Sequence, residues 1–221
     1  MAAQRSMPSS KQSIAKDSGS GLAVEDANGA TGLLVVDMIS CWDFPDAEKL
    51  LPVAVEVSRR IARLKRRCKA AGVPVVYAND NRGRWRSDFG ALVELSIACG
   101  GRGAEITTAL LPDHDDYFVL KPQQSAYVAT PLEQLLGVLR VKRLIVTGVA
   151  SDQCVLSTAT DARMRGLEVV MPRDCTGTQT ARRQAMLMAQ CPQVFGIATT
   201  PGSRIRLPPA LAKGAERDDR K

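Results

Sequence analysis

The sequence predicts an α/β fold: three α/β/α layers around a doubly wound, six-stranded parallel sheet with strand order 3-2-1-4-5-6. Two observations lead to this prediction. Short runs rich in valine, isoleucine and leucine recur along the chain, as expected of strands that are buried on both faces of a parallel sheet. Longer amphipathic stretches bounded by glycine or proline separate these runs. Strands that alternate with helices form such a sheet through right-handed crossovers.

The first elements show the pattern. Residues 31–38 form a continuous apolar run that ends in a carboxylate, Asp37, and are the first predicted strand. A helix is predicted from about 47 to 71, because apolar side chains recur there at helical spacing opposite basic ones. Gly72 ends this helix by supplying the permissive backbone of a C-cap. Residues 73–80 are the second predicted strand.

The rest of the chain repeats this alternation. In order, we predict a weaker helix around 89–98, a strand at 116–122, a helix at 130–139, a strand at 142–149, a helix at about 151–165, a strand at 167–172, a helix at roughly 180–190 and a last strand at 194–200.

One domain is expected from 221 residues with 45% hydrophobic content. It covers residues 31–200, between a flexible N-terminal tail (1–30) and a basic C-terminal tail (201–221). No apolar run approaches the roughly 18 residues of a spanning helix, so we expect no membrane protein. The six cysteines form no C-x-x-C pair, and no secretory signal precedes them, so reduced thiols in a cytoplasm are expected.

Charge and histidine content restrict the function classes. The net charge of +7 is dispersed along the chain and aromatic residues make up only 4%, which disfavours nucleic acid as a partner. The single histidine, His114, lies in a polar loop where a solvated side chain is expected. Histidine-based metal sites, Ser-His-Asp triads and Cys-His dyads all need a histidine. We therefore predict neither a metal nor a cofactor.

Polar residues follow the predicted strands at their carboxyl ends, where open α/β sheets bind ligands. Asp37 follows the first strand, Asn79 and Asp80 the second, Lys121 the third, and a turn containing Cys154 the fourth. If the fourth strand lies beside the first, these side chains converge at the point where the strand order reverses.

These residue types suit one chemistry. A thiol reacts as its thiolate, and its pKa falls at a helix N-terminus or beside a cation, as expected for Cys154. Asp37 is expected to take the thiol proton and return it to a leaving nitrogen. Lys121 is expected to hold Asp37 and to favour the thiolate.

Taken singly, each of these residues also has a structural interpretation. A cysteine in an apolar fold is often a small buried hydrophobe, which is the role expected for Cys41, Cys68, Cys99 and Cys191. An aspartate that ends a strand is often a helix cap, and a lysine before a proline is often exposed.

Three motifs in order carry a family resemblance: LLVVDM with Asp37, KPQQSAYVATPLEQLL with Lys121, and VTGVASDQCVLSTATDARMRGLEVVMPRDC with Cys154. From about 31 to 200, the chain resembles the isochorismatase-like cysteine hydrolases, which include nicotinamidases, N-carbamoylsarcosine amidohydrolase, ureidoacrylate hydrolase and isochorismatase. The resemblance implies a six-stranded parallel sheet, an Asp37–Lys121–Cys154 triad and a homo-oligomer, commonly a dimer or tetramer. It also implies a cis peptide bond before Ala150 and an oxyanion hole formed by the backbone N–H groups of Ala150 and Cys154.

The substrate implied is a small molecule. Metal-dependent nicotinamidases use histidines that this chain lacks, and isochorismatases typically lack the cysteine, so Cys154 favours hydrolysis of a C–N bond in an amide, carbamoyl or ureido compound through a thioester. The alternatives are an isochorismatase-type vinyl ether hydrolase and a catalytically silent binding module. The candidate pocket residues are Trp42, Asn79, Arg84, Trp85, Tyr127 and Cys175. Arg82, Arg84 and Arg86 are candidates to contact an anionic or planar substrate, although loop arginines are more often solvated.

Overall fold

Six parallel strands form the centre of the molecule. A computed structural model describes residues 30–83 and 88–209. The strands are β1 (Ala30–Val36), β2 (Val75–Asp80), β3 (Tyr117–Lys121), β4 (Val141–Val149), β5 (Glu168–Val170) and β6 (Thr176–Gly177). Their order is β3-β2-β1-β4-β5, and β6 pairs with the carboxyl end of β4. The predicted α/β class with a doubly wound parallel sheet is confirmed.

The central strand β1 shows why the strands are continuous apolar runs. Its Leu33 lies opposite Val75 of β2 on one side and Ile145 of β4 on the other. Leu33 and Val35 point into one core, whereas Leu34 and Val36 point into the other. Both faces of β1 are therefore covered, and no position from Leu33 to Val36 exposes its side chain.

In the described ranges, six α-helices cover the two faces of the sheet. They are α1 (Ala47–Ala70), α2 (Phe89–Ala98), α3 (Gly101–Ala109), α4 (Leu132–Val138), α5 (Leu156–Met164) and α6 (Ala181–Val194). Helices α1 to α3 contribute to the first core and α4 to α6 to the second. Helix α1 ends as predicted, since Gly72 follows it with a φ of 68°.

Two elements differ from the prediction. Helix α3 was not predicted, because its sequence GRGAEITTA has no clear apolar stripe and a pair of glycines, Gly100 before the helix and Gly101 at its start, interrupts the pattern at positive φ. The predicted last strand at 194–200 makes a single bridge, between Ala198 and Val170 of β5. Helix α6 continues to Val194, the first residue of the predicted last strand. The sixth strand of the sheet is β6 instead.

The folded part continues into the predicted C-terminal tail. Arg67 of α1 donates hydrogen bonds to the carbonyl oxygens of Gly202 and Ile205 at 2.6 and 2.7 Å. Ile205 is buried. Residues 210–221 and most of the predicted N-terminal tail, 1–29, lie outside the described residues.

A disulfide bond joins Cys41, in the loop after β1, to Cys99 at the end of α2. The expectation that all six thiols are reduced is therefore wrong for this pair, which lies 58 residues apart in sequence. The other four cysteines are free, and Cys68 and Cys191 are buried helix residues, as predicted. None of the helices in the described ranges combines the length and apolar character that crossing a bilayer requires.

Candidate active site

Asp37 leaves the carboxyl end of β1 and is held from β2. Its backbone adopts a left-handed conformation, with a φ of 52°, which aspartate tolerates better than most residues. Its N–H donates to the carbonyl oxygen of Ala78 at 2.9 Å. Its Oδ1 accepts a hydrogen bond of 2.7 Å from the N–H of Asp80. The ends of two neighbouring strands thus fix the carboxylate.

Lys121 is the last residue of β3, and its side chain is completely buried. Its Nζ lies 2.9 Å from Asp37 Oδ2, 3.4 Å from Cys154 Sγ and 3.2 Å from the carbonyl oxygen of Gln123. An ammonium group has three donors, so each of the three finds an acceptor. Lys121 therefore joins the carboxylate to the thiol.

Cys154 lies in a π-helical turn, Ser151–Val155, between β4 and α5. The approach to this turn needs Gly148, which has a φ of 112°. A Cβ atom there would lie 2.0 Å from the carbonyl oxygen of Val36, so any other residue would push β4 away from β1. The peptide bond between Val149 and Ala150 is cis.

Helix α6 and the segment before it hold the π-helical turn in place. Ser151 Oγ donates to Gln184 Oε1 at 2.6 Å. The Asp152 carboxylate accepts from the Thr178 hydroxyl and the Arg183 guanidinium, each at 2.6 Å. These contacts attach the residues before Cys154 to the neighbouring helix.

The three side chains shift one another's acidity. Burial raises the pKa of the Cys154 thiol to about 12; the negative Asp37 acts in the same direction, and Lys121 opposes both. The expectation of a lowered pKa at Cys154 is therefore wrong, because burial outweighs the cation. Burial also raises the pKa of Asp37, against the effect of Lys121. Burial lowers the pKa of Lys121, but Asp37 and Cys154 raise it to above its usual value. At neutral pH, the resting site thus holds an ammonium group and a neutral thiol.

Asp37 and Cys154 both line a cavity of about 320 Å³. This is the size of a pocket for a small organic molecule. The other lining residues come from the carboxyl ends of β2 and β4, the first turn of α1, the π-helical turn and the loops between elements: Ile39, Ser40, Phe44, Pro45, Asp46, Leu50, Asn79, Asp80, Arg82, Val149, Ala150, Gln153 and Gln179.

Of the predicted pocket residues that the structure describes, one lines the cavity and three do not. Asn79 lines the cavity, and its Nδ2 donates to the carbonyl oxygen of Ile39 at 2.9 Å. Trp42, Tyr127 and Cys175 do not line it, because each is buried in the core. Trp42 packs on Phe44 with ring centroids 5.8 Å apart.

Tyr127 lies beneath Arg165, whose guanidinium carbon is 4.4 Å from the centre of the tyrosine ring. Cys175 lies against Gly202, the first residue of the short helical turn Gly202–Arg204, since a Cβ there would approach the Cys175 Sγ to 2.7 Å. Arg84, Trp85 and Arg86 lie outside the described residues.

Sequence reasoning missed several lining residues, including Ser40, Phe44, Gln153 and Gln179. They lie in loops and turns where no periodicity distinguishes a lining residue from a solvated one. Arg82, a candidate to contact substrate, does line the cavity. Its guanidinium pairs with Asp43 and lies 5.5 Å from the centre of the Phe44 ring.

A group of three carboxylates, Asp113, Asp115 and Asp116, has the spacing of metal ligands. It precedes β3 and so lies at the edge of the sheet opposite to Asp37. Lys65 and Lys69 form ion pairs with these carboxylates and already compensate much of their charge. His114, between them, is exposed, as predicted.

Comparison with known proteins agrees with this fold and identifies a family. The model of the Isochorismatase domain family matches residues 31–201. An uncharacterized isochorismatase family protein, YaaI of Bacillus subtilis (strain 168), is 36% identical over 149 residues, which cover 67% of this chain and 81% of YaaI. N-carbamoylsarcosine amidase of Arthrobacter sp. is 26% identical over 151 residues, 64% of this chain and 57% of the amidase. The chain spans about half the length of several other curated relatives.

A solved structure shares the fold. An isochorismatase family protein from Desulfovibrio vulgaris subsp. vulgaris str. Hildenborough superposes with a TM-score of 0.63 at 24% identity, covering 80% of this chain and 96% of that one. At this identity the likeness concerns the fold alone. The family match over nearly the whole described chain, together with YaaI, shows that this protein belongs to the isochorismatase family of hydrolases.

Proposed function

We propose that the protein hydrolyses a C–N bond of a small amide, carbamoyl or ureido compound, with Cys154 as nucleophile. One observation carries the proposal: a carboxylate and a thiol line the same cavity, and the buried ammonium of Lys121 contacts both, at 2.9 and 3.4 Å. N-carbamoylsarcosine amidase, a relative, is named for this class of reaction.

In the first half of the proposed reaction, the Cys154 thiol gives its proton to Asp37 while sulfur attacks the substrate carbonyl carbon. Lys121 stabilises the thiolate as it forms. The carbonyl oxygen becomes an oxyanion, for which we propose the backbone N–H groups of Ala150 and Cys154 as donors. The C–N bond then breaks, and Asp37 returns the proton to the leaving nitrogen. A thioester remains on Cys154.

In the second half, water attacks the thioester and Asp37 takes one of its protons. The C–S bond breaks, the proton returns to sulfur, and a carboxylic acid leaves. One water is consumed for each C–N bond broken, and the three side chains return to their starting protonation states. No other reactant is needed.

The raised pKa of Cys154 suits this sequence of steps. A thiol with a pKa of about 12 is neutral at rest and depends on the adjacent carboxylate for activation. Proton transfer is therefore coupled to attack, and Lys121 offsets the charge that develops on sulfur.

The test is ammonia release by the purified protein from a panel of primary amides, carbamoyl compounds and ureido acids. Cys154→Ala and Asp37→Asn are expected to reduce release to background, while Cys191→Ala, which removes a free cysteine outside the cavity, retains it. Hydroxylamine should divert a thioester into a hydroxamate. Equal release by wild type and Cys154→Ala would contradict the thiol mechanism, and cleavage of a vinyl ether without any amide turnover would favour the alternative reaction.

A further inference from the structure

We infer that the proposed amidase selects substrates that carry a protonated amine at the end remote from the scissile carbonyl, and that Asn79 and Asp80 bind this end. The inference rests on the proposed function and specifies its substrate class. It differs from the anionic substrate that the loop arginines suggest, and it follows from the charges and acceptors of the described cavity.

Two of the four charged residues that line the cavity are neutralised by close partners. Asp37 is paired with Lys121 at 2.9 Å. The Arg82 guanidinium pairs with Asp43 and lies against the ring of Phe44. Arg82 is therefore engaged on the wall of the cavity, and an incoming carboxylate would have to compete with Asp43 for it.

The other two charged residues are both acidic. Asp46 pairs with Lys49 at 2.5 Å, but both side chains are more than half exposed, so water and salt screen this pair. Within residues 30–83 and 88–209, the Asp80 carboxylate forms no ion pair, and its Oδ1 accepts only a backbone hydrogen bond of 2.6 Å from Arg82. The described lining thus carries more acidic than basic charge, and the exposed Asp80 contributes a carboxylate that only the more distant Lys121 ammonium partly compensates.

Asn79 adds a neutral acceptor next to this charge. Its Nδ2 is engaged by the carbonyl oxygen of Ile39, which identifies the other amide atom as oxygen. That Oδ1 is buried and has no hydrogen-bond partner among the residues that the structure describes. Asn79 is the only residue with such an unpartnered buried atom among the described residues that line the cavity. A buried acceptor without a protein donor is satisfied by an N–H or O–H group of a water molecule or of a ligand that displaces it.

A protonated amine satisfies both features at once. Its N–H groups are donors of the kind that the Asn79 oxygen lacks, and its charge is attracted by Asp80. A carboxylate of the same size would bring acceptors to an acceptor and a negative charge to a negative charge. Such mismatches exclude a ligand more strongly than a missing contact does.

The test compares three primary amides of similar length: 4-aminobutanamide, pentanamide and glutaramate, which end in an ammonium, a methyl and a carboxylate group. We expect kcat/KM from ammonia release to fall in that order, with about a tenfold or larger difference between the first and the last at low salt. Asp80→Asn should bring the ratio of the ammonium to the methyl substrate towards one. Glu105→Gln removes the same charge from an exposed position on α3 outside the cavity and should leave the ratio unchanged.

Two results would overturn the inference: a preference for glutaramate, particularly one lost in Arg84→Ala or Arg86→Ala, or an unchanged ratio in Asp80→Asn. A binding measurement tests this inference independently of the proposed function. Calorimetric titration of Cys154→Ala with the ammonium and the carboxylate compound reports charge selection without turnover. Tighter binding of 4-aminobutanamide supports the inference even if no amide is hydrolysed, and tighter binding of glutaramate refutes it even if amides are hydrolysed.

Discussion

Two buried lysine–aspartate pairs occupy opposite edges of the sheet. At the carboxyl edge, Lys121 contacts Asp37, and their side chains are 0% and 18% exposed. At the amino edge, Lys65 lies 2.7 Å from Asp116, and their side chains are 8% and 1% exposed. Each lysine also donates a hydrogen bond to a backbone carbonyl, of Gln123 and Leu111 respectively.

The difference between the pairs lies in the third partner. Lys65 has a second carboxylate, Asp113, at 3.2 Å, and the centre of the Tyr77 ring at 5.3 Å. Lys121 has the Cys154 thiol instead, and its pair borders a cavity. The same burial and the same ion pairing thus serve a structural role at one edge and suit chemistry at the other. A buried ion pair therefore identifies an active site only when a reactive group and space for a ligand accompany it.

The largest expected difference concerns catalysis. Lys121→Met should lower kcat/KM for the best amide by about 10³-fold or more, because it removes the charge that stabilises the thiolate and positions Asp37. Lys65→Met should change kcat/KM of the folded protein by less than about twofold, since its pair lies far from the cavity. Ammonia release, corrected for the folded fraction by circular dichroism, measures both. Comparable losses of kcat/KM in the two variants would contradict a catalytic role that is specific to the Lys121 pair.

Stability should show the reverse order. Asp116→Ala leaves Lys65 buried beside a single exposed carboxylate and is expected to lower the free energy of unfolding by about 3–5 kcal/mol. Asp37→Asn should lower it by less, because the asparagine keeps an amide oxygen that can accept from Lys121, and the Gln123 carbonyl and Cys154 remain partners of the ammonium. Urea denaturation of both variants tests this order. A larger loss of unfolding free energy in Asp37→Asn would show that the pair at the candidate site contributes more to stability than the pair at the amino edge.

The pH dependence of activity sharpens the comparison further. Asp37 must be deprotonated to accept the thiol proton, and burial raises its pKa above the usual 3.8. Activity is therefore present above this raised pKa and is lost as the pH falls through it. The acidic limb of kcat/KM should lie above pH 3.8, and Lys65→Met should not move it. An acidic limb at or below the usual aspartate pKa would argue against Asp37 as the base.

The smallest expected effect concerns alkylation. Because the pKa of Cys154 is raised to about 12, iodoacetamide should label it slowly at neutral pH and faster as the pH rises. Lys121→Met should slow labelling further, since Lys121 lowers this pKa, whereas Lys65→Met should not. Mass spectrometry of the labelled peptides follows each cysteine separately. Labelling that reaches its maximum rate below pH 8 would contradict a neutral resting thiol.

Elements with strong periodicity could be predicted from the sequence. Helix α1 begins at the predicted residue and ends one residue early, and β4 begins one residue early, because each has a long apolar pattern with a clear stop. The convergence of Asp37, Lys121 and Cys154 follows from the same strands, since parallel strands bring their carboxyl ends to one edge.

Features that depend on tertiary contacts could not be predicted. The pairing of Cys41 with Cys99 joins two segments whose proximity only the fold defines. Trp42 follows the first strand closely, as a lining residue would, yet its backbone, with a φ of 58°, places the ring in the core. The pKa of Cys154 depends on how much water the surrounding side chains exclude, which the residue order does not encode locally.

The number of residues in the π-helical turn Ser151–Val155 determines the direction in which the Cys154 thiol points. A π turn contains about one residue more than an α turn, and each residue rotates a helix by about 100°. With one residue fewer before Val155, and with α5 still anchored in the core by Ala159 and Ala162, another side chain would face Lys121. A homologue could therefore keep the aspartate, the lysine and the cysteine and still misalign them through a single deletion. Alignments of this family should be read for gaps in this turn as well as for the identities of the three residues.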